Sequence, residues 1–256
     1  MNDFEYNALP GVRRSDLWRM KQSPLHFRYY VDNPEEPTPA LIFGQAAHKY
    51  ILEPDTFFDE FEVVPKVDRR TKAGKEVLQA FEQLHSGKTF ITAEEMQKIT
   101  SMREALLRNP SAKEILTGDI RTEVPLTWVD PETGTPCKVK IDILGELNSI
   151  PAIIDYKTTT SCADGAFERS VRKYGYDFQA AMYTEAVRRT MLEEREFIFI
   201  AQEKDPPYAS RVYWCSSYVV ERGLETFRDL LKEYAECEKT NSWPGYEDGE
   251  LFEEEW

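Results

Sequence analysis

Residues 141–160, IDILGELNSIPAIIDYKTTT, decide how this chain is read. Two apolar runs flank Asn148-Ser149, an acceptable though weak turn pair, so the stretch reads as a β-hairpin with both strands buried. Side chains alternate along a strand, which sends Asp155 and Lys157 to one face and Ile154 and Tyr156 to the other. A hairpin folded symmetrically about Asn148 and Ser149 sets Asp142 across from Asp155, with Cβ atoms roughly 4.5–5.5 Å apart. A second hairpin, turning near Glu132 and Thr133 in DPETGTP, brings Glu123 across from Asp142 on the same face. A bulge in that proline-containing turn would shift the register by one residue and turn Glu123 away.

Three acids on a partly buried sheet face repel one another and need a positive partner. A divalent cation supplies it best, and oxygen ligands without thiolates favour Mg²⁺, with Mn²⁺ as substitute, over zinc. Mg²⁺ commonly completes its shell from phosphates, which points to phosphoryl chemistry. Lys157, one strand step from Asp155, would stand beside such an ion, where it can orient or help deprotonate an attacking water and stabilise developing charge. The competing reading is a salt-bridge network of Asp142, Lys157 and Glu123 on a solvated face. The apolar flanks AII and KVKIDIL count against it, because unpaired charge costs more there. The spacings alone leave both readings open.

Around this hairpin the chain alternates helices and strands. Before it, Ser15 is placed to cap a helix through Trp18 and Met20, Ser23-Pro24 starts another, and Thr38-Pro39 opens TPALIFGQAAHKYIL. Residues 71–86 and 92–108 carry helical patterning. Strands are expected at 120–129, 137–147 and 151–159, then helices at 163–173 and 176–192, two strands in EFIFIAQEK and SRVYWCS, and an amphipathic helix over 217–238. The pattern predicts one α/β domain over 1–256: a mainly helical part to 118, a core of mixed β-sheet flanked by helices over 119–240, and an acidic C-terminal tail over 241–256.

Composition narrows the class. The 256 residues are 41% hydrophobic and 12% aromatic, enough for a real core. No run approaches the ~20 apolar residues that span a bilayer, and the first residues lack the zones of a signal peptide, so a cytoplasmic protein without membrane contact is expected. Cys137, Cys162, Cys215 and Cys237 show no CxxC or CxxH spacing, which argues against a disulfide framework, a zinc site or an iron–sulfur site. Net charge is −14, yet residues 11–30 hold six basic residues, His26 included, against one acid. The segment YEDGELFEEEW holds six acids and no base. A basic groove within an acidic exterior is therefore expected.

Two further groups bear on the site. His48 lies one helical turn from Gly44 and is the histidine best placed to ligate, although a lone helical histidine is more often an ordinary core or surface residue. Gln179 and Tyr183, four apart in YDFQAAMY, share a helix face with alanines between them. Such a pair can hold a phosphate or a water, or be incidental to an amphipathic helix.

Taken together, SDLWRMKQSPLHFRYY, FGQAAHKYILEPDTF, EVPLTWVDPETGTPCKVKIDIL, IIDYKTT, YGYDFQAAMY, FIAQEKDPPY and WPGY resemble the PD-(D/E)XK nuclease superfamily, in its branch of RecE-type, exodeoxyribonuclease VIII-like enzymes of phages and prophages. The resemblance spans nearly the whole chain. It implies His48, Asp142 and Asp155 as metal ligands with the Tyr156 carbonyl, Lys157 as the catalytic lysine, Gln179 and Tyr183 as the family's QxxxY pair, and Glu123 as a supporting acid. Ile141 stands where the superfamily name has proline, and the middle acid of the D-x-K element is Asp155. Neither departure removes a ligand type.

The resemblance further implies Mg²⁺-dependent hydrolysis of linear duplex DNA from a 5′ end, leaving a 3′ single strand for homologous recombination. It implies a homo-oligomeric ring and a single-strand annealing protein as partner. Arg13, Arg14, Arg19 and Arg28 are the candidates for DNA contact, each weighed against an ordinary solvated helix charge. A Cas4-like nuclease would need a cysteine cluster, a site-specific endonuclease would nick closed circles, and a silent recombination scaffold would have no use for Asp142, Asp155 and Lys157.

Overall fold

The computed structural model describes residues 3–34 and 36–249. The chain runs through α1 (Asp3–Ala8), α2 (Arg14–Met20), α3 (Pro24–Asp32) and α4 (Pro39–Leu52), a 3₁₀ turn at Pro54–Thr56, α5 (Phe57–Glu60), β1 (Phe61–Val63), α6 (Lys72–Leu84), β2 (Thr89–Ile91), α7 (Ala93–Leu106) and α8 (Pro110–Thr117). The sheet-forming half follows, with β3 (Arg121–Val129), β4 (Pro136–Leu147), β5 (Ile150–Thr159), α9 (Ala166–Tyr174), α10 (Tyr176–Met191), β6 (Glu196–Glu203), β7 (Ser210–Trp214) and α11 (Ser217–Thr240).

Five strands form one mixed sheet in the order β3-β4-β5-β6-β7. Within this sheet only β5 and β6 pair in parallel, because α9 and α10 cross over between them. The β4–β5 hairpin turns on Asn148 (φ 53°) and Ser149 (φ 60°), the paired left-handed conformation that matches strand twist in a two-residue loop. Leu147 faces Ile150 and Ile143 faces Ile154, so the register continues to Asp142 opposite Asp155 as the symmetric turn predicts.

On β3, Thr122 faces Ile143 and Val124 faces Ile141, which leaves Glu123 opposite Asp142 in a gap of the ladder. Glu123 takes a left-handed φ of 50°, and Ile141 and Leu144, three apart, pack in the same layer, so regular alternation slips here. The feared register shift does not occur; the irregularity sits at the acids themselves.

Burial alternates across the sheet. Ile153, Phe197, Phe199 and Ala201 face α2, α10 and α11, where Leu17, Met20, Phe178, Met182, Phe227 and Leu231 complete one core. Ile143, Ile154, Ile198 and Ile200 face Ile51, Leu106, Ala112 and Ile115 from α4, α7 and α8. Covering both faces makes β5 and β6 nearly continuous apolar runs, so each charge on β5 stands out.

Some expectations need correction. Ser15 does not cap α2. The helix begins at Arg14, and the Asp16 carboxylate accepts from the Arg13 backbone N–H at 3.0 Å while pairing with its guanidinium. The acid in the first turn thus supplies the reciprocal half of a capping box and complements the helix dipole. The parallel pair β1–β2 is also absent from the sequence reading, since three residues are too few to show a period. The closing segment does not leave the body at 241: Trp243 packs 5.2 Å from Phe27, and Leu25 N–H donates to Pro244 O at 2.9 Å. Residues 250–256, which hold much of the acidic tail, lie outside the described residues.

Gly175 joins α9 to α10 at φ 64°, and a Cβ there would lie 2.2 Å from the Trp18 ring. Gly175→Ala combines backbone strain with an overlap, and is expected to destabilise the fold by about 2–4 kcal/mol. Thermal melts check this, and an unchanged Tm would show that Trp18 can retreat.

Candidate active site

Three elements converge above the irregular part of the sheet. From α4, His48 directs Nε2 to Asp142 Oδ2 at 2.9 Å and Nδ1 to Glu123 Oε1 at 3.4 Å. Asp142 also accepts from the Tyr156 backbone N–H at 2.9 Å, which ties β4 to β5 where their ladder ends. Glu123 is further paired with Lys140, a residue on the same strand as Asp142 and two positions before it. His48, Glu123 and Asp142 offer donor atoms all within 4.8 Å of one another. They line a cavity of about 800 Å³ together with Arg13, Arg14, Lys140, Lys157 and Tyr183.

Asp155 lies beneath this group and is completely buried. Lys157 Nζ approaches its Oδ2 at 2.6 Å, and the Gln179 side-chain amide donates to its Oδ1. Among the described residues, Oδ2 meets the Lys157 ammonium and no other partner. Ile153 and Asp155 share the α10 face of β5, which is why a glutamine on α10 can reach the carboxylate. The Tyr156 side chain points the other way, its hydroxyl donating to Gln202 Oε1 at 2.8 Å, so only its backbone borders the site.

The electrostatics follow from burial and proximity. Burial drives Asp155 up, Lys157 opposes that, and Asp142 adds to it; its pKa is pushed up to about 6. Burial would also raise Asp142, but His48, Lys157 and the Tyr156 N–H outweigh it and hold it below the usual range. Glu123 is raised by burial against the pull of His48 and Lys140. Burial lowers Lys157, yet Asp155 and Asp142 reverse the balance and keep its ammonium above the ordinary value. The pair is asymmetric because the lysine answers to two carboxylates while Asp155 has a repelling neighbour.

These residues fit a divalent ion. A nitrogen and two carboxylates already converge, a largely oxygen donor set suits Mg²⁺ or Mn²⁺, and the buried Asp155 Oδ2 meets only the Lys157 ammonium. The grouping differs in detail from the one that the resemblance implies. Glu123 stands with His48 and Asp142, whereas Asp155 is turned to Lys157 and Gln179.

Histidine links the site to pH. Burial pulls the His48 imidazole down, but Asp142 and Glu123 outweigh it, and its pKa lies above 6.5. A raised histidine stabilises the metal-free fold fully below its unfolded pKa and loses that contribution as pH rises through the folded one. Ligation needs the neutral ring, so metal binding competes with the proton. The rise in Tm on adding Mn²⁺ is expected to be several degrees larger at about pH 8 than at about pH 6. Equal shifts at both would remove His48 from the ligands.

Of the four arginine candidates, Arg13 and Arg14 reach the cavity wall. Arg14 donates to the Tyr174 and Gly175 carbonyls, and burial lowers its pKa. Arg19 lies over the Tyr30 ring, and Arg28 pairs with Asp32 at 2.7 Å on the outer side of α3. Sequence reading missed Lys140, although its place two residues before Asp142 puts both on one strand face. It also missed Lys138, whose buried ammonium donates to the Tyr6, Asn7 and Leu9 carbonyls at 3.2, 3.0 and 2.6 Å and so fixes the end of α1.

Comparison with known proteins agrees with this architecture. No curated protein matches the chain. Among solved structures, the "Putative exonuclease" from Eubacterium rectale is similar over 94% of this chain and 87% of its own, with 15% identity and a TM-score of 0.63. That likeness shows the fold. A second structure, SSO0001, aligns over 73% of this chain and 85% of its own at 15% identity, and its TM-score of 0.30 carries no argument. No helix among the described residues is long and apolar enough to cross a membrane. The mixed sheet, the acids of β4 and β5 and the Asp155–Lys157 pair accord with a family model that matches residues 15–255, and the chain belongs to that family, the PDDEXK-like domain of unknown function DUF3799.

Proposed function

We propose that this protein is a Mg²⁺-dependent exodeoxyribonuclease that degrades linear double-stranded DNA in the 5′→3′ direction and leaves 3′ single strands for homologous recombination. The observation that carries the reading is the convergence of His48, Glu123 and Asp142 above the buried Asp155–Lys157 pair, on the floor of a cavity whose wall holds Arg13, Arg14 and Lys140. The polarity, the phage-type role, a homo-oligomeric ring and an annealing partner rest on the RecE-type resemblance. Action in the cytoplasm by a single nuclease domain, expected from the hydropathy and element pattern of the sequence, is part of the proposal.

His48, Asp142 and Asp155, with the Tyr156 carbonyl, would hold the ion, and Glu123 is placed to join them. A divalent ion held there supplies Lewis acidity and offsets charge that builds on the phosphoryl oxygens. The chain's own residues do the remainder. Gln179 fixes the orientation of Asp155, and Tyr156 N–H and His48 fix Asp142. Lys157 enters as a charged donor, because its neighbours keep the ammonium protonated, and it orients a water and stabilises charge in the transition state. Tyr183 closes the wall beside it, its hydroxyl kept protonated by burial. Arg13 and Arg14 meet the phosphate backbone nearest the cavity, with Arg19 and Arg28 farther out along the path.

Incubation of linear and covalently closed duplex, with Mg²⁺ and with chelator, tests the proposal. Nucleotides are expected from linear DNA only, and only with Mg²⁺. Nicking of closed circles would favour an endonuclease, and release in chelator would remove the metal from the account.

A further inference from the structure

A second cluster stands on α2, outside the acids of the cavity. Arg14, Trp18 and Lys21 follow at spacings of four and three, so they form one stripe leading away from the cavity wall. The Arg14 guanidinium is 5.3 Å and Lys21 Nζ 4.5 Å from the Trp18 ring centre. Alongside, Arg19 lies 4.6 Å over the Tyr30 ring. Trp18, Arg19, Lys21, Gln22 and Tyr30 border a shallow depression open to solvent.

Among the described residues neither Arg19 nor Lys21 has an ion-pair partner. In a chain of net charge −14, both cations are therefore laid on aromatic faces and not beside acids. The platform is also fixed to the catalytic scaffold. Trp18 packs against Gly175 and lies 5.8 Å from Phe178, at the start of the helix that carries Gln179 and Tyr183.

A ligand that uses all of this must carry both phosphates and free flat faces. Duplex DNA keeps its bases stacked inside, and a small anion leaves the rings unused. We infer that the Trp18–Tyr30 platform binds single-stranded DNA, with bases stacked on the two rings and phosphates held by Arg19 and Lys21. The inference rests on the nuclease reading for why a single strand is present at the cavity. Binding itself needs no metal. Arg19 and Lys21 are flexible, and a base that displaces them from the rings frees them for phosphate; stacking on an aromatic ring outweighs an exposed cation–π contact.

The test uses the full chain in chelator with a labelled 20-nucleotide dT strand and an abasic strand of equal length, read by fluorescence anisotropy. The dT strand is expected to bind about tenfold more tightly than the abasic one. The Arg19→Glu, Lys21→Glu double variant is expected to weaken dT binding by about tenfold or more. Tyr30→Leu, which keeps apolar bulk and avoids disturbing the packed Trp18, is expected to weaken dT binding alone by about fivefold to tenfold. Equal affinity for the two strands, or a double variant that binds dT as the wild type does, overturns the inference. Because nothing is hydrolysed here, dT binding without nuclease activity rejects the proposed function and keeps the platform, and activity without dT binding does the reverse.

Discussion

Lys157→Ala is expected to slow nucleotide release from linear duplex by about 10²–10⁴-fold with the fold intact. The size of the effect follows from placement. Lys157 is the cation closest to Asp155, at 2.6 Å, and its ammonium is kept charged by two carboxylates. Removing it leaves Asp155 buried without compensation, and the carboxyl, already pushed up to about 6, responds by taking a proton. Protonation limits the stability loss to at most about 4 kcal/mol at neutral pH, because that is the cost of neutralising an ordinary carboxylate there. The variant should therefore melt cooperatively at a lower temperature while being catalytically inert. Circular dichroism melts and a nucleotide-release assay on the same preparation separate the two effects. Rates within a few fold of wild type would take Lys157 out of the chemistry.

Asp142→Ala is expected to abolish both activity and the thermal response to Mn²⁺. At a metal concentration about 100 times the dissociation constant, binding stabilises the wild type by about 2.7 kcal/mol, which for a chain of this size raises Tm by roughly 5–10 °C. Asp142 is shared by every part of the group, since it meets His48 at 2.9 Å, receives the Tyr156 N–H and stands opposite Glu123. Its loss removes one ligand and frees the orientation of another. His48 also loses its nearest carboxylate, so its imidazole titrates lower. A variant that kept the full Mn²⁺ shift would place the ion elsewhere.

Much of this arrangement was legible in the sequence because strand geometry is strict. Once Asn148 and Ser149 are the turn, period-two alternation and pairing set Asp142 opposite Asp155; Glu123 follows only from the register of the second hairpin, which the sequence left open to a bulge. Gln179 could be placed by its helix face, and its amide does reach Asp155. Side-chain direction was not legible. Nothing in the spacing of β3 or β5 shows that Glu123 adopts a left-handed backbone and swings to His48, or that Asp155 turns down to Lys157. Those choices depend on tertiary packing around α4 and α10. The arginines illustrate the same limit: Arg13 and Arg14 reach the cavity while Arg19, on the same short helix, rests on Tyr30. β1 and β2 escaped notice because three-residue strands draw their stability from α4 and α7 above them, through Phe61, Ile91, Ala46, Ile99 and Met102.

Anomalous diffraction from crystals soaked in Mn²⁺ tests the central claim most directly. The account predicts a strong peak within ligand distance of His48, Asp142 and at least one of Glu123 and Asp155, with the Asp155 Oδ2 drawn toward the ion. A site without a peak, in which Lys157 and Lys140 alone neutralise the three acids, would contradict it.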